Sequence, residues 1–367
     1  MATYTSKLKI LFWNALSINQ RKGDTPTLLN NVDIFICVES WLQGNNSFNI
    51  SGFKSYKKSR QHSRGGGILY LVRNNIQCEV IEDVNTNIEN LEILAIKVKC
   101  TSPHLNIVTC YRVPKPGHSN TQSEWNEIVN FTDLNPNTLL FGNFNAHNVR
   151  WNCEKTDSNG ERFEQAIDSK NLFLHNSDSK THLEKRSGKL SNLDLALSTM
   201  CIADNIEVKV FDETLGSDHF PILLCIDVNK VTYEKKTFKL CSKKTDWSVF
   251  ERHINGRYHA FLTIDYENKT PSQKYDFFIQ VVSETVESAT PRKKCFRKYK
   301  KSNPVPWWDQ ECDRIKRLRR VAFKKWRFTN LQSDLIIYEK CCAIAKRTFA
   351  KKKEKVLENS RNKSTSV

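Results

Sequence analysis

No two of the twelve cysteines form a Cys-x-x-Cys pair, and no histidines cluster at metal-ligand spacing. Both absences argue against a structural zinc module. The cysteines scatter from Cys37 to Cys342 and read as reduced, mostly buried thiols. Nowhere do about 18 apolar residues follow one another, and the polar stretch from Thr3 to Lys9 precedes any apolar run. Neither a membrane span nor a secretory leader is therefore expected, and the chain is predicted to be intracellular, soluble and without a membrane partner. No internal repeat is visible.

What is present is a 367-residue chain, 39% hydrophobic, long enough for one large domain and a smaller appendage. Its charge is unevenly placed. Residues 1–227 hold 23 Lys and Arg against 25 Asp and Glu, a net −2, and the remaining 34 against 15 leave +19 on residues 228–367. A positive excess confined to the C-terminal part suggests an acidic polymer as partner, of which nucleic acid is the commonest inside cells. A solvated tail is the alternative.

Short apolar or alternating runs closed by Gly, Asn, Asp or Pro predict strands at 7–15, 33–38, 67–72, 91–98, 106–112, 138–141, 192–197 and 222–228. Helical segments fall between some of them, as at 124–131 and 160–171. The alternation predicts an α/β fold, a layered sandwich of two packed β-sheets flanked by helices, over residues 7–228. Residues 229–367 are expected to form a basic, mostly helical segment. In it Asp246 caps a helix through Ile254, a second helix spans 272–288, and Pro306-Trp307-Trp308 opens a basic helix to about Phe328. A last helix from Ser333 places Leu335, Tyr338, Cys342, Ala345 and Phe349 on one face.

Four short patterns stand at the ends of predicted strands: Phe12-Trp13-Asn14, Val38-Glu39-Ser40-Trp41, Gly142-Asn143-Phe144-Asn145-Ala146-His147 and Ser217-Asp218-His219-Phe220-Pro221. Each is weak alone, and their order and spacing make the set specific. Over about residues 7–227 they resemble the motifs of the exonuclease-endonuclease-phosphatase superfamily, relatives of abasic-site endonucleases that cleave phosphodiesters with a divalent metal. Within it, residues 65–73, Cys110-Tyr111-Arg112-Val113-Pro114 and Ser191-Asn192-Leu193-Asp194-Leu195 are similar to the endonucleases of non-LTR retrotransposons. The Pro306-Trp307-Trp308 helix resembles the segment leading to the polymerase in insect-type elements. No Tyr- or Phe-x-Asp-Asp polymerase motif occurs in the chain, so reverse transcription is not predicted.

Phosphodiester cleavage needs a metal to neutralise the phosphate, a base to activate or orient water, and donors at the pentacovalent oxygens. Glu39 is the natural hard-oxygen ligand for Mg²⁺, with Mn²⁺ as the second choice, helped by Asn14 and by an outer-shell contact from Asp218. By itself Glu39 could equally be a surface glutamate at a strand end. The resemblance implies that His219 donates to or stabilises the scissile phosphate, with Asp218 or Asp194 orienting its ring. Tyr111 and Asn145 offer neutral donors to phosphate oxygens, and Arg112 is a candidate contact to the DNA backbone, the alternatives being packing and a solvated surface arginine.

One position departs from the pattern. Asn143 stands where the family carries the aspartate of Gly-Asp-Phe-Asn, and an amide can neither accept a proton from the attacking water nor supply charge to hold it. Two functions are therefore weighed: a DNA endonuclease nicking one strand to leave a 3′-hydroxyl, and an impaired remnant that only binds nucleic acid. A lipid phosphodiesterase fits the basic C-terminal region poorly, and RNA, including the element's own, is a second nucleic-acid partner. Arg297 and Lys298, in a Lys- and Arg-rich run from Lys293 to Lys301 with Phe296 and Tyr299 interleaved, are expected to touch nucleic acid; a localisation signal or a linker is the alternative. Work on DNA would place the protein in the nucleus at least transiently.

Overall fold

The computed structural model describes residues 7–44, 46–60, 65–82, 84, 88, 90–100, 103–115, 117–133, 135–232, 242–263, 270–291 and 306–364. Two six-stranded sheets dominate it. The first has the order β13 (Ile206–Val210), β14 (Ile222–Ile226), β1 (Leu8–Asn14), β2 (Ile34–Val38), β4 (Ile68–Arg73), β3 (Phe53–Lys58). The second runs β5 (Cys78–Ile81), β6 (Leu91–Val98), β7 (Leu105–Arg112), β8 (Thr138–Asn143), β12 (Asp194–Ser198), β9 (Phe173–Leu174). Both are mixed: β1 with β2 and β7 with β8 are parallel pairs, and their other pairs are antiparallel. A two-stranded ribbon, β10 (His182–Leu183) with β11 (Leu190–Ser191), stands beside them.

Alternation decides which face of each strand meets the other sheet. Leu8, Ile10 and Phe12 of β1 face inward with Ile34, Ile36 and Val38, and meet Ile107, Leu139, Phe141 and Ala196 of the opposite sheet. The Phe12 and Phe141 rings stack across the gap with centroids 6.0 Å apart. Leu11, Trp13, Phe35 and Cys37 turn outward and are covered by Ile18, Leu28, Leu29 and Phe48 around the one-turn helix α1 (Thr25–Leu28). On the far face of the second sheet, Trp125 of α2 (Gln122–Asn130) and Phe163 of α3 (Ser158–Ser169) pack over Val108, Leu140 and Leu195. A further single turn, α4 (Met200–Ala203), joins β12 to β13. The central strands are thus covered on both faces, which explains why a strand such as Ile34–Val38 reads as a continuous apolar run.

All eight expected strands are present, and the layered α/β sandwich with a helical C-terminal segment is the observed fold. The segment after residue 228 divides, however. Residues 235–302 form a compact unit of their own, in which α5 (Trp247–Thr263) and α6 (Pro271–Ala289) make a hairpin joined by Thr245 Oγ1 and Thr290 Oγ1 at 3.0 Å. Residues 303–367 group with 1–234 in the other unit.

There α7 (Gln310–Thr329), capped by Asp309 accepting from Cys312 N–H at 3.1 Å, folds back against α8 (Gln332–Ser364). The predicted face of α8 is the buried one: Leu335, Tyr338, Ala345 and Phe349 are all buried. What it covers was not legible in the pattern. Leu335 and Tyr338 join Phe323 and Trp326 of α7 in a cluster that takes in Leu183 and Phe220 of the sandwich. Tyr338 shares a hydroxyl hydrogen bond of 2.8 Å with Thr214, Lys316 and Arg319 both reach Asp24, and the Trp308 ring fills the space a Cβ on Gly23 would need. The Trp-Trp pair is therefore an anchor of the hairpin.

Phe323 is 2% exposed and touches Phe220, Trp326 and Tyr338. Phe323→Ala is expected to cost about 3–5 kcal/mol of stability; urea unfolding of the two proteins checks this, and an unchanged midpoint would contradict the packing.

Candidate active site at the rim of the two sheets

Strand register brings the motif residues together. Asn143, the last residue of β8, pairs with Tyr111 of β7 on one side and with Asp194, the first residue of β12, on the other. In the first sheet Asn14 ends β1 opposite Val38, and Glu39 follows at once. The His219 segment leads into β14, beside β1. Four chain segments thus end on the same rim, tied by their own polar groups: Ser217 Oγ donates to the Asn14 carbonyl at 2.7 Å, and Trp13 Nε1 donates to the His219 carbonyl at 3.0 Å. This accounts for the Trp and Ser of the two motifs, which hold the site without facing it.

Glu39 sits in the left-handed region at φ 49°, as does Trp41 at φ 55°, a conformation that costs a side-chain-bearing residue about 1–3 kcal/mol. The turn is over-determined: Ser17 N–H donates to the Glu39 carbonyl at 2.9 Å, and Ser40 and Trp41 donate to Gly67 and Gly66 at 3.0 and 2.8 Å. Its effect is to bring the carboxylate to Asn14, whose Nδ2 donates to Oε1 at 2.9 Å. The Asn14 oxygen accepts Leu16 N–H at 3.2 Å, so this fully buried amide orients Glu39. Oε2 accepts a long hydrogen bond from Trp41 Nε1 at 3.4 Å, and the Tyr111 hydroxyl also faces this carboxylate. Among the described residues no group of three or more His, Cys, Asp or Glu is placed to hold a metal. A carboxylate beside a neutral amide is nevertheless a hard-oxygen donor set of the kind Mg²⁺ accepts, with water and phosphate completing its shell.

At the other pole, His219 is buried, with Nδ1 2.6 Å from Oδ2 of Asp194, which is fully buried. Asp218 is the more distant of the two acids, Oδ1 lying 3.9 Å from Nε2. Asp194 is therefore the residue that fixes the ring, aided by Thr181 Oγ1, which accepts from Leu193 and Asp194 N–H at 3.0 Å each. Burial pushes the imidazole down, but Asp194 and then Asp218 and Glu39 outweigh it, holding the His219 pKa above its ordinary value. Burial pushes the Asp218 carboxyl up, yet His219 and Lys185 bring it below the usual range.

Asn143 lies between the poles. Its Nδ2 is 3.5 Å from His219 Nε2 and its Oδ1 accepts Asn145 N–H at 3.1 Å. The preceding Gly142 runs so close to β7 that a Cβ would stand 2.5 Å from the Cys110 carbonyl. Tyr111 is buried beside Glu39; burial and then that carboxylate push its phenol pKa up. Asn145, at φ 44°, donates from Nδ2 to the Arg112 carbonyl at 2.7 Å.

Arg112 requires a correction. It is 3% exposed and all three of its nitrogens are engaged, Nε with Asn120 Oδ1 at 2.6 Å, Nη1 with the Asn145 carbonyl at 3.1 Å and Nη2 with the His118 carbonyl at 2.9 Å. A guanidinium so placed cannot reach a DNA backbone; it clamps the loop that carries Asn145. Arg297 and Lys298, with the rest of the run from Lys293 to Lys301, lie outside the described residues.

Two residues were missed by sequence reasoning. His182 lies on β10, with its ring centroid 4.6 Å from that of His219 and its Nδ1 3.1 Å from Ser191 Oγ. Burial, and then His219, push its pKa down to about 3. Arg60 lies over the Tyr111 ring at 5.7 Å and bonds Glu92 through Nε, leaving Nη2 with no hydrogen-bond partner among the described residues. Nothing in Thr181-His182-Leu183 or around Arg60 carries a motif; only the fold puts them there. In an imidazole NMR titration from pH 8 to 5, His182 is expected to stay neutral while the His219 transition lies above that of an unperturbed imidazole. A His182 transition near 6.5 would contradict this packing. Because the His219 pKa is raised on folding, its contribution to stability is full below its unfolded value of about 6.5 and disappears as pH rises through the folded value.

A sequence profile of the endonuclease-reverse transcriptase family matches residues 105–223, which carry Tyr111, Asn143, Asp194 and His219. The probable RNA-directed DNA polymerase from transposon X-element of Drosophila melanogaster is 19% identical over 288 residues, 77% of this chain; the match spans 30% of that protein's length. Among solved structures, the endonuclease domain of TRAS1, a telomere-specific non-LTR retrotransposon, aligns at 17% identity and TM-score 0.49 over 60% of this chain and 98% of that one. The AP endonuclease LMAP from Leishmania major aligns at 10% identity and TM-score 0.49 over 60% and 88%. The resemblance to the endonuclease-reverse transcriptase family extends over residues 105–223.

Proposed function

We propose that the protein is a divalent-metal-dependent DNA endonuclease that nicks one strand and leaves a 3′-hydroxyl. The observation that carries this reading is the convergence on one rim of a carboxylate held by an amide, Glu39 with Asn14, and an imidazole held by a buried carboxylate, His219 with Asp194. Glu39 and Asn14 would hold Mg²⁺ or Mn²⁺, which when bound neutralises charge on the scissile phosphate. His219, kept protonated towards higher pH, donates from Nε2 to a phosphoryl oxygen as negative charge grows there. Asp194 fixes the tautomer, and Asn143, facing the same Nε2, positions the attacking water by hydrogen bonding. Tyr111 and Asn145 add neutral donors, and the exposed Arg and Lys of α7 and α8 would draw the substrate in.

DNA as substrate is supported by the resemblance to the probable RNA-directed DNA polymerase of transposon X-element, and a 3′-hydroxyl is the end from which such a polymerase would extend. The protein in Mg²⁺ should convert supercoiled plasmid to open circles whose nicks prime a DNA polymerase directly. Nicks that need phosphatase treatment before extension would contradict the 3′-hydroxyl.

Asn143 favours a second reading, a chain that binds nucleic acid without cutting it. It predicts salt-sensitive mobility shifts with plasmid left intact.

A further inference from the structure

A cavity of about 450 Å³ lies between the sandwich rim and the α7–α8 hairpin. It is large enough for a nucleotide-sized group. Its sandwich wall is continuous with the candidate active site: Leu16 is two residues past Asn14, Leu183 follows His182, and Gly216 precedes Ser217. Lys185 belongs to both places, lining the cavity and reaching Asp218 Oδ2 at 3.5 Å. The helical wall supplies the half-buried Trp307, with Tyr338 and Phe349, both buried in the packing of α8, behind it.

Charge is equally one-sided. Arg21, Lys185, Arg319, Lys346 and Lys353 line the cavity against a single carboxylate, Glu339. Arg319 shares Asp24 with Lys316, so that one acid serves two cations. Burial, and next the neighbouring Arg319, push the Arg21 guanidinium below its ordinary value, as expected where positive charge is in surplus. Lys346 and Lys353 are exposed on α8, seven residues apart and therefore on one side of it and about 10 Å apart along its axis.

Aromatic faces for bases beside cations for phosphates are how proteins hold single strands without reading sequence. We infer that this cleft binds single-stranded DNA running on from the cutting rim, which makes the hairpin part of the substrate site. The DNA assignment rests on the nuclease reading above; the cleft's affinity for a strand does not require cutting.

The test uses the full chain in EDTA with a short 5-bromodeoxyuridine-substituted oligothymidylate. The double variant Lys346→Glu/Lys353→Glu, changed only at exposed positions, should bind at least about tenfold more weakly, and the salt dependence of log K should fall by about 1.4, two single-strand phosphate contacts at about 0.7 each. Ultraviolet cross-links should map to the peptide holding Trp307. Unchanged affinity and slope, or cross-links confined to other peptides, would overturn the inference, and RNA of the same length bound tenfold more tightly would overturn the choice of DNA. A chain that binds through the cleft but never nicks plasmid defeats the endonuclease reading and leaves this one standing; a chain that nicks while the double variant binds normally does the reverse.

Discussion

Asn143→Asp is expected to raise the nicking rate by roughly 10²- to 10⁴-fold, the range that a positioned general base contributes. The exchange is nearly isosteric, and the site is ready for it. Asn143 is held by Tyr111 and Asp194 in the sheet, and its Oδ1 already accepts Asn145 N–H, a bond a carboxylate keeps. The second oxygen would replace Nδ2, which lies 3.5 Å from His219 Nε2, and so face a cation rather than bare protein. Burying a charge at a residue 1% exposed is costly alone, but the imidazolium offsets it, and the His219 pKa should rise further. Single-turnover nicking of a labelled duplex checks the effect. Equal rates for the two proteins would mean that the residue at 143 does not limit the reaction.

Asp194→Asn should lower activity by as much as about 10⁴-fold, the loss seen when the acid of a Ser-His-Asp triad is exchanged for its amide. Oδ2 accepts from His219 Nδ1 at 2.6 Å in a fully buried place. An amide there either presents N–H to Nδ1, forcing the wrong tautomer, or offers a weaker neutral acceptor. In both cases the largest influence holding the His219 pKa up against burial is removed. The alkaline limb of the pH-rate profile, where the imidazolium is lost, should therefore move to lower pH. Loss of activity with an unmoved limb would assign Asp194 to structure alone.

Central strands and the four motifs were open to reading because local pattern and burial coincide there. Ile34–Val38 and Thr138–Asn143 are apolar runs buried on both faces, and each ends where a motif begins. The edge strands Phe53–Lys58, Cys78–Ile81 and Ile206–Val210 escaped because many of their residues face solvent and several carry charge, Lys54 and Lys57 on the first. Arg112 shows the limit within a motif. Its presence was readable, but its engagement depends on His118 and Asn120, which the chain brings back only in three dimensions. His182 reaches His219 through an isolated bridge between segments 37 positions apart, and no periodicity encodes that. The face of α8 was likewise written in its spacing, whereas the aromatic and aliphatic surface it covers, Phe220 and Leu183, belongs to a distant part of the chain.

The most direct measurement is a plasmid-nicking gel in Mg²⁺ with three proteins: the chain as it stands, Asn143→Asp, and His219→Ala. Open circles are predicted from the first two, faster from Asn143→Asp, and none from His219→Ala. Supercoiled plasmid left intact by both the native chain and Asn143→Asp would contradict the endonuclease account and leave a protein that only binds.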